Sequence, residues 1–448
     1  DILEPFFMGV SETLYHIYYL FVLEPYEFFS VITLQDFVFF FLPAILIDFP
    51  RFILSDVVVL AKEWFFPDNY RYTEFAQKLK RNPPFVSVLL PGYNEGETVG
   101  KTIESFLENT YKNLEIIVVS DGSDDDMVRV CQEYATQGKI RFFIHKERSG
   151  KSAAANYALK MARGEYVVIA DADTTFDRDC VYEILLPFAD PKVGGVSGNL
   201  RVRNWRTNLL TRFQALEYIF SISIGRRFSS MLGMLAIVSG AFGAFRKSAL
   251  QKIGGWDTGP GEDADITIRL RKAGYRIIFT AKAMCMTDTP EKWKAIWKQR
   301  LRWNRSLIRF RWRKHKDVYY NASSYDLGTV AGMADSFFFQ VVMPFIRVPY
   351  FLSVALLLRE SSHIIFVGTL GFYFASNVLQ WIVAMLLSER PFQDFRLGWA
   401  LPFFTLYRLY ETFNRIIACI DEIFFETSFT DRYVPSRVQK RAERNWWK

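Results

Sequence analysis

The pattern of apolar and polar positions changes texture twice along this chain. Between 85 and 173, four short runs are rich in β-branched and aromatic residues: "FVSVLLP" (85–91), "LEIIVVSD" (114–121), "IRFFIHK" (140–146) and "YVVIADAD" (166–173). Stretches with helical spacing at 97–109, 124–137 and 151–163 separate them. Continuous apolar runs predict strands covered on both faces. Alternation of strand and helix predicts a parallel sheet with helices on its faces. Ligands of such sheets bind beyond the carboxyl ends of the strands.

On either side the runs lengthen. "TLYHIYYLFVLEPYEFFSVITL" and "FVFFFLPAILIDFPRFILSDVVVLA", within 11–62, are each long enough to cross a bilayer, as are stretches within 328–358, 363–387 and 397–420. The first also suits an amphipathic surface segment. Acids inside these runs (Glu24, Glu27, Asp48, Asp56) must sit at an interface or face a polar interior. Arg408, Glu411 and Arg415 recur at helical spacing, so they share a face that must meet protein or water. Trp293, Ile296, Trp297 and Leu307 read as the apolar stripe of an interfacial helix. The expected organisation is therefore membrane or interfacial helices over 1–62, a linker over 63–84 and an α/β domain over 85–290. Amphipathic helices over 291–327, membrane spans over 328–421 and a basic tail over 422–448 follow.

Composition agrees with this blend. Of 448 residues, half are hydrophobic and 17% aromatic, heavy for a soluble protein, yet 23% are charged, too many for spans alone. Lys and Arg cluster at 292–316 and 437–448 beside apolar stretches, which favours juxtamembrane charge on the cytoplasmic side over nucleic-acid binding. Cys131, Cys180, Cys285 and Cys419 are scattered, and the histidines form no H-x-x-x-H pair, so neither a zinc site nor a disulfide framework is expected. No basic segment precedes the first apolar run, so no cleavable leader is expected, and a start at Asp1 suggests that a short N-terminal piece is missing.

The strand ends carry the candidate chemistry. Tyr93 and Glu95 follow the first run, Asp121 ends the second, and Asp171 and Asp173 end the fourth. In a parallel sheet these ends meet in one crevice. Asp124 and Asp177 read as helix N-caps. Two carboxylates at i and i+2 repel unless a cation joins them. Mg²⁺ binds through one or two carboxylates plus substrate phosphates, which points to a nucleotide diphosphate. "RSGKS" (148–152) is not a phosphate loop, because His145 stands where the first glycine is needed.

Four motifs in order make the resemblance specific: "SDGS" after the second strand, "DADT", "GEDAD" (261–265) and "QRLRW" (299–303). Together they resemble family 2 glycosyltransferases with a GT-A fold, and among them the membrane-integrated processive synthases of cellulose, hyaluronan, chitin and poly-N-acetylglucosamine. The resemblance implies an α/β GT-A cytosolic domain set between transmembrane helices of the plasma membrane. It implies that Tyr93, Glu95 and Asp121 hold the uracil and ribose of a UDP-sugar, with Lys151 near the nucleotide. Asp171 and Asp173 would bind the diphosphate through Mg²⁺ or Mn²⁺, Asp173 as the direct ligand. Asp263 would be the general base, raised toward neutrality by burial and by Glu262 and Asp265. Gln299, Arg302 and Trp303 would lie over the diphosphate and acceptor sugar, and Ser239, Gly240 and Glu262 near the acceptor. The implied partners are a UDP-sugar, the growing polysaccharide, the bilayer and accessory secretion or co-polymerase subunits, with no nucleic acid. A non-processive enzyme placing one sugar on a polyprenyl phosphate is the alternative. Hyaluronan and chitin synthases usually have Arg where Ala264 stands and Gln where Arg300 stands, and cellulose synthases typically carry Thr at Gly261. These departures lean toward N-acetylglucosamine over glucose.

Overall fold

The computed structural model describes residues 12–16, 18–41, 47–257, 259, 261–357, 362–430 and 435. The basic run 437–448 lies outside them. The centre of the fold is an eight-stranded sheet in the order β3-β2-β1-β4-β7-β6-β8-β5. Its strands are β1 (Val86–Gly92), β2 (Leu114–Asp121), β3 (Arg141–His145), β4 (Tyr166–Ala170), β5 (Thr175–Phe176), β6 (Val193–Val202), β7 (Phe242–Arg246) and β8 (Arg276–Thr287).

The four runs visible in the sequence form the parallel half, β3-β2-β1-β4. The expectation of a wholly parallel sheet needs correction, since β7 runs antiparallel to both β4 and β6. The second half escapes the apolar pattern for a packing reason. Strand β6, "VGGVSGNLRV", is buried throughout but rich in glycine. A Cβ at Gly198 would lie 2.1 Å from the Phe242 ring, and one at Gly195 3.2 Å from Phe245. The bulk of β7 thus fills space that β6 leaves open, and the apolar signal is carried by the partner strand.

The helices Val99–Leu107, Met127–Thr136 and Lys151–Met161 cover the parallel half. The four cysteines are buried and unpaired. Asp124 and Asp177 do not cap helices as expected. Asp124 is clasped by the Asn94 side chain, and Asp177 forms an ion pair with Arg390 at 2.7 Å. Asp126 and Asp179 occupy the N-cap positions instead.

Among the described residues, two helices, Leu327–Leu356 and Ser362–Leu386, are long and apolar enough to cross a membrane. Of the N-terminal stretches, the first is helical to Val31 and breaks at Ile32, after which Thr33 starts Leu34–Phe40 with a capping box. The second resumes after the undescribed residues 42–46 and ends in Ser55–Phe65. The connection after Ser362–Leu386 is clamped to the sheet by a buried pair, Arg201 to Asp394 at 2.7 Å. The final helix, Leu401–Phe425, packs lengthwise along Trp293–Leu307. Tyr410 Oη donates to the Trp293 carbonyl, Asn414 Nδ2 to that of Trp297, and Asp421 pairs with Arg305.

Candidate active site

The crevice is built from loops stitched to one another. Asn94, just beyond β1, adopts φ +58°, a left-handed conformation that asparagine tolerates. Its amide exchanges hydrogen bonds with Asp124 at 2.6 and 3.0 Å, and the Gly96 N–H donates to Asp125 at 2.7 Å. The ends of β1 and β2 are therefore fixed side by side. Tyr93 remains 37% exposed, with the Arg148 guanidinium 4.1 Å from its ring centroid. A planar group offered on both an aromatic and a cationic plane suits a nucleobase.

Asp121 is buried, and both of its oxygens are engaged within the protein. Oδ2 accepts from the Gly150 N–H at 2.6 Å, and Oδ1 from the Ser149 N–H at 2.8 Å beside the His145 ring. Its visible work is to fold the loop that starts the helix Lys151–Met161. That loop aims Lys151 at the D-x-D turn. Lys151 Nζ lies 2.5 Å from Asp171 Oδ1, 3.6 Å from Glu262 Oε1 and 3.5 Å from the Gly240 carbonyl. One ammonium thus joins "DAD", "SGAF" and "GED", which lie far apart in the chain. Burial alone would lower its pKa, but Asp171, Glu262 and Asp263 outweigh burial and hold it above the usual lysine value.

The remaining carboxylates are short of positive charge. Burial, then Asp173 and Asp171, push the Glu95 carboxyl up to about 7. Burial, then Asp171, raises Asp173, whose Oδ1 accepts from Thr174. Glu262 is also raised, by burial first, with Lys151 opposing and Asp263 adding. Among the described residues no three His, Cys, Asp or Glu side chains form a complete ion cage. Carboxylates that resist ionisation in an open cluster fit a divalent ion held by one or two of them and completed by ligand phosphates.

These shifts give a sign for pH dependence. A carboxyl raised in the fold contributes stability below its ordinary value of ~4.3 and loses it as pH rises through about 7. Metal-free Glu95→Gln is expected to melt above metal-free wild type at about pH 8, and to match it at about pH 4. Equal melting temperatures at both values would remove Glu95 from the charged cluster.

Asp263 sits in the first turn of Glu262–Lys272, which stops before Gly274 as expected. Its Oδ1 accepts from the Ala264 N–H at 2.8 Å. A Cβ on Gly240 would lie 3.7 Å from its Cβ, so Asp263 and the Ser239–Gly240 loop are adjacent. Asp265 does not act on Asp263 as expected. It is wholly buried on another side, accepting from His315 at 2.9 Å, Arg269 at 2.7 Å and Lys314 at 2.5 Å. Although burial opposes it, these partners hold its carboxyl below the usual range.

The helix Trp293–Leu307 carries Gln299, Arg302 and Trp303. It meets the helix Glu262–Lys272 at Gly261, where a Cβ would fall 2.7 Å from that of Ser306. Trp303 is 39% exposed, and among the described residues the buried Gln299 Oε1 has no hydrogen-bond partner. Ser239 is buried beside Gly240, its N–H donating to Ser197.

Two residues that the sequence did not reveal complete the site. Arg203, at the end of β6, donates to the Asp173 carbonyl at 3.1 Å and to Thr175 at 3.2 Å, fixing the turn that carries both aspartates. Arg226 donates to Ser197 Oγ at 2.9 Å, and burial lowers its pKa from the usual arginine value, with Asp263 opposing. Neither belongs to a motif. A basic residue closing a glycine-rich strand was the one available signal for Arg203. Arg226 also lines a cavity of about 490 Å³ that Arg408, Glu411 and Arg415 share with Phe339 and Phe351.

Comparison with known proteins agrees with this geometry. Poly-beta-1,6-N-acetyl-D-glucosamine synthase of Staphylococcus aureus (strain COL) is 34% identical over 267 residues, 57% of this chain and 65% of that protein. The Staphylococcus epidermidis protein of the same name is 37% identical over 220 residues, 49% of this chain and 53% of its own length. The chain thus spans under two thirds of the curated relatives it matches. A mannosyltransferase from Pyrobaculum calidifontis, solved with GDP-Man and Mn²⁺, superposes with a TM-score of 0.54 at 21% identity, covering 84% of this chain and 99% of that one. This likeness establishes a GT-A-like α/β fold with a mixed sheet. Residues 83–306, half of the chain, match the profile described as glycosyltransferase like family 2, and the chain accordingly belongs to that family of glycosyltransferases.

Proposed function

We propose that this glycosyltransferase is an inverting, processive enzyme that polymerises a UDP-sugar, with UDP-N-acetylglucosamine favoured over UDP-glucose, on the cytosolic side of the plasma membrane. The observation that carries the reading is the Lys151 ammonium, which links Asp171 to Glu262 and so brings the diphosphate turn beside the first turn of the base helix. The relatives' printed name supports the choice of sugar.

In this reading the uracil stacks on the outside of the Tyr93–Arg148 pair, whose two planes already touch. Asp171 and Asp173 would hold Mg²⁺ or Mn²⁺, which would supply positive charge to a diphosphate leaving group. Arg203 keeps their turn in place, and Lys151 adds a fixed positive charge. Asp263 takes the proton from the acceptor hydroxyl as that oxygen attacks the anomeric carbon from the face opposite UDP. Gln299 and Arg302 donate to the diphosphate, and Trp303 offers a flat face to the acceptor ring. The product chain then enters the cavity lined by Arg408, Glu411 and Arg415, which is also lined by Met234–Ile237, just before the Ser239–Gly240 loop. Leu327–Leu356 and Ser362–Leu386 anchor the enzyme in the bilayer.

Protein reconstituted in lipid, supplied with each UDP-sugar in turn, is expected to release UDP and make long polymer with one of them. Chelation by EDTA should abolish both, and Mn²⁺ or Mg²⁺ should restore them. Full activity in EDTA would reject the metal assignment. Products one sugar longer than a lipid phosphate would replace processive synthesis with transfer to a polyprenyl acceptor.

A further inference from the structure

Arg300 occupies the second position of "QRLRW" and is buried against Glu217 and Glu411. It is 4% exposed, far more buried than Trp303 one turn later. Its Nη2 lies 2.7 Å from Glu217 Oε2, and its Nε lies 3.4 Å from Glu411 Oε1. The same Glu217 oxygen accepts from Tyr407 Oη at 2.7 Å. The guanidinium carbon stands 4.3 Å from the Trp303 ring centroid. Three helices therefore converge on one side chain: Leu209–Glu217, Trp293–Leu307 and Leu401–Phe425. Glu217, Tyr407 and Glu411 line the large cavity, whereas Arg300 and Trp303 are not among its lining residues. A planar guanidinium can stack on an aromatic ring and hold carboxylates in its plane at the same time, which an ammonium cannot.

We propose that Arg300 is a positioning residue for Trp303: clamped by Glu217 and Glu411, it fixes the indole so that its open face aligns the acceptor sugar with the mouth of the cavity. This rests on Trp303 being the acceptor platform. The device acts on the acceptor and not on the donor, because Arg300 has its contacts on the cavity side and none of the distances above link it to the diphosphate turn. It also gives a physical role to the arginine that replaces the glutamine usual in hyaluronan and chitin synthases.

The full-length protein in lipid tests it with three variants, measuring donor KM, UDP released, sugar incorporated and product length. Arg300→Lys keeps the charge but loses the stack and the fork. It is expected to shorten the product several-fold and lower incorporation per UDP released, with donor KM held within about twofold. A merely structural defect would reduce turnover without that split. Trp303→Ala should show the same split, and Tyr407→Phe, which removes only the hydroxyl on Glu217, a smaller one. Unchanged length in Arg300→Lys beside a shortened Trp303→Ala would overturn the role of Arg300 and leave the acceptor platform standing. Unchanged length in Trp303→Ala would overturn both. If Arg300→Lys does not fold, wild-type behaviour of Tyr407→Phe rejects the proposal.

Discussion

Asp263→Asn is expected to lower turnover roughly a hundred- to ten-thousand-fold, the usual contribution of a positioned general base, while UDP-sugar still binds. Asparagine keeps the oxygen that accepts from the Ala264 N–H, so the first turn of the helix should persist. What is lost is the ability to take a proton. The experiment pairs UDP release with calorimetric binding of the donor, and it needs a control at the neighbouring acid. Glu262 is the carboxyl raised by burial, yet it faces Lys151 at 3.6 Å and is committed to that ion pair. Glu262→Gln should therefore weaken the link between the two motifs and reduce activity less. An inactive Glu262→Gln beside an active Asp263→Asn would transfer the role of base to Glu262.

The second large effect is expected at Gly261. Its φ of +87° is a left-handed conformation that costs a side-chain-bearing residue about 1–2 kcal/mol. An added Cβ would also meet Ser306 Cβ at 2.7 Å and the Phe310 ring at 2.9 Å, with overpacking worth roughly 1–3 kcal/mol. Gly261→Thr should thus destabilise the protein by roughly 2–5 kcal/mol and inactivate it, because the wedge separates the base helix from the helix that carries Trp303. Gly261→Ala should fall between. A Gly261→Thr protein that melts and turns over like the wild type would show that the two helices are not in close contact.

The two variants probe features of very different legibility. Asp263 stands in a motif, and its place at the start of a helix that ends before Gly274 followed from local spacing. The same holds for Tyr93, Glu95, Asp171 and Asp173, which lie where apolar runs stop. Strand ends are readable because a doubly covered strand leaves an unbroken apolar run. Strands β6 and β7 were not readable, since the apolar mass of one fills the glycine gaps of the other and neither shows the pattern alone. Arg203 and Arg226 were hidden for a related reason: an arginine that supports a loop from a distant element has no characteristic neighbours in sequence.

Charge was the least legible property. Asp265 is a sequence neighbour of Asp263, yet helix geometry turns it toward Lys314 and His315, and its own carboxyl is held low. Asp121 carries the motif, but its oxygens are spent on the backbone of residues 149 and 150. In each case the partners come from elements far away in the chain, which spacing cannot supply.

The sequence by itself determined the parallel half of the sheet, the family motifs and the acids at the strand ends, because these depend on local periodicity and turn chemistry. Tertiary structure alone decided the mixed half of the sheet, where β7 and β5 run antiparallel to their neighbours and β6 and β8 pair in parallel, and the bridge that Lys151 makes between distant motifs. It also decided the course of Leu401–Phe425 along Trp293–Leu307, and the burial of Arg300 between two carboxylates behind Trp303. The reason is common to all of these: each is a contact between side chains separated by tens to hundreds of residues, whose energy depends on which groups share a low-dielectric space and not on which groups are neighbours along the chain.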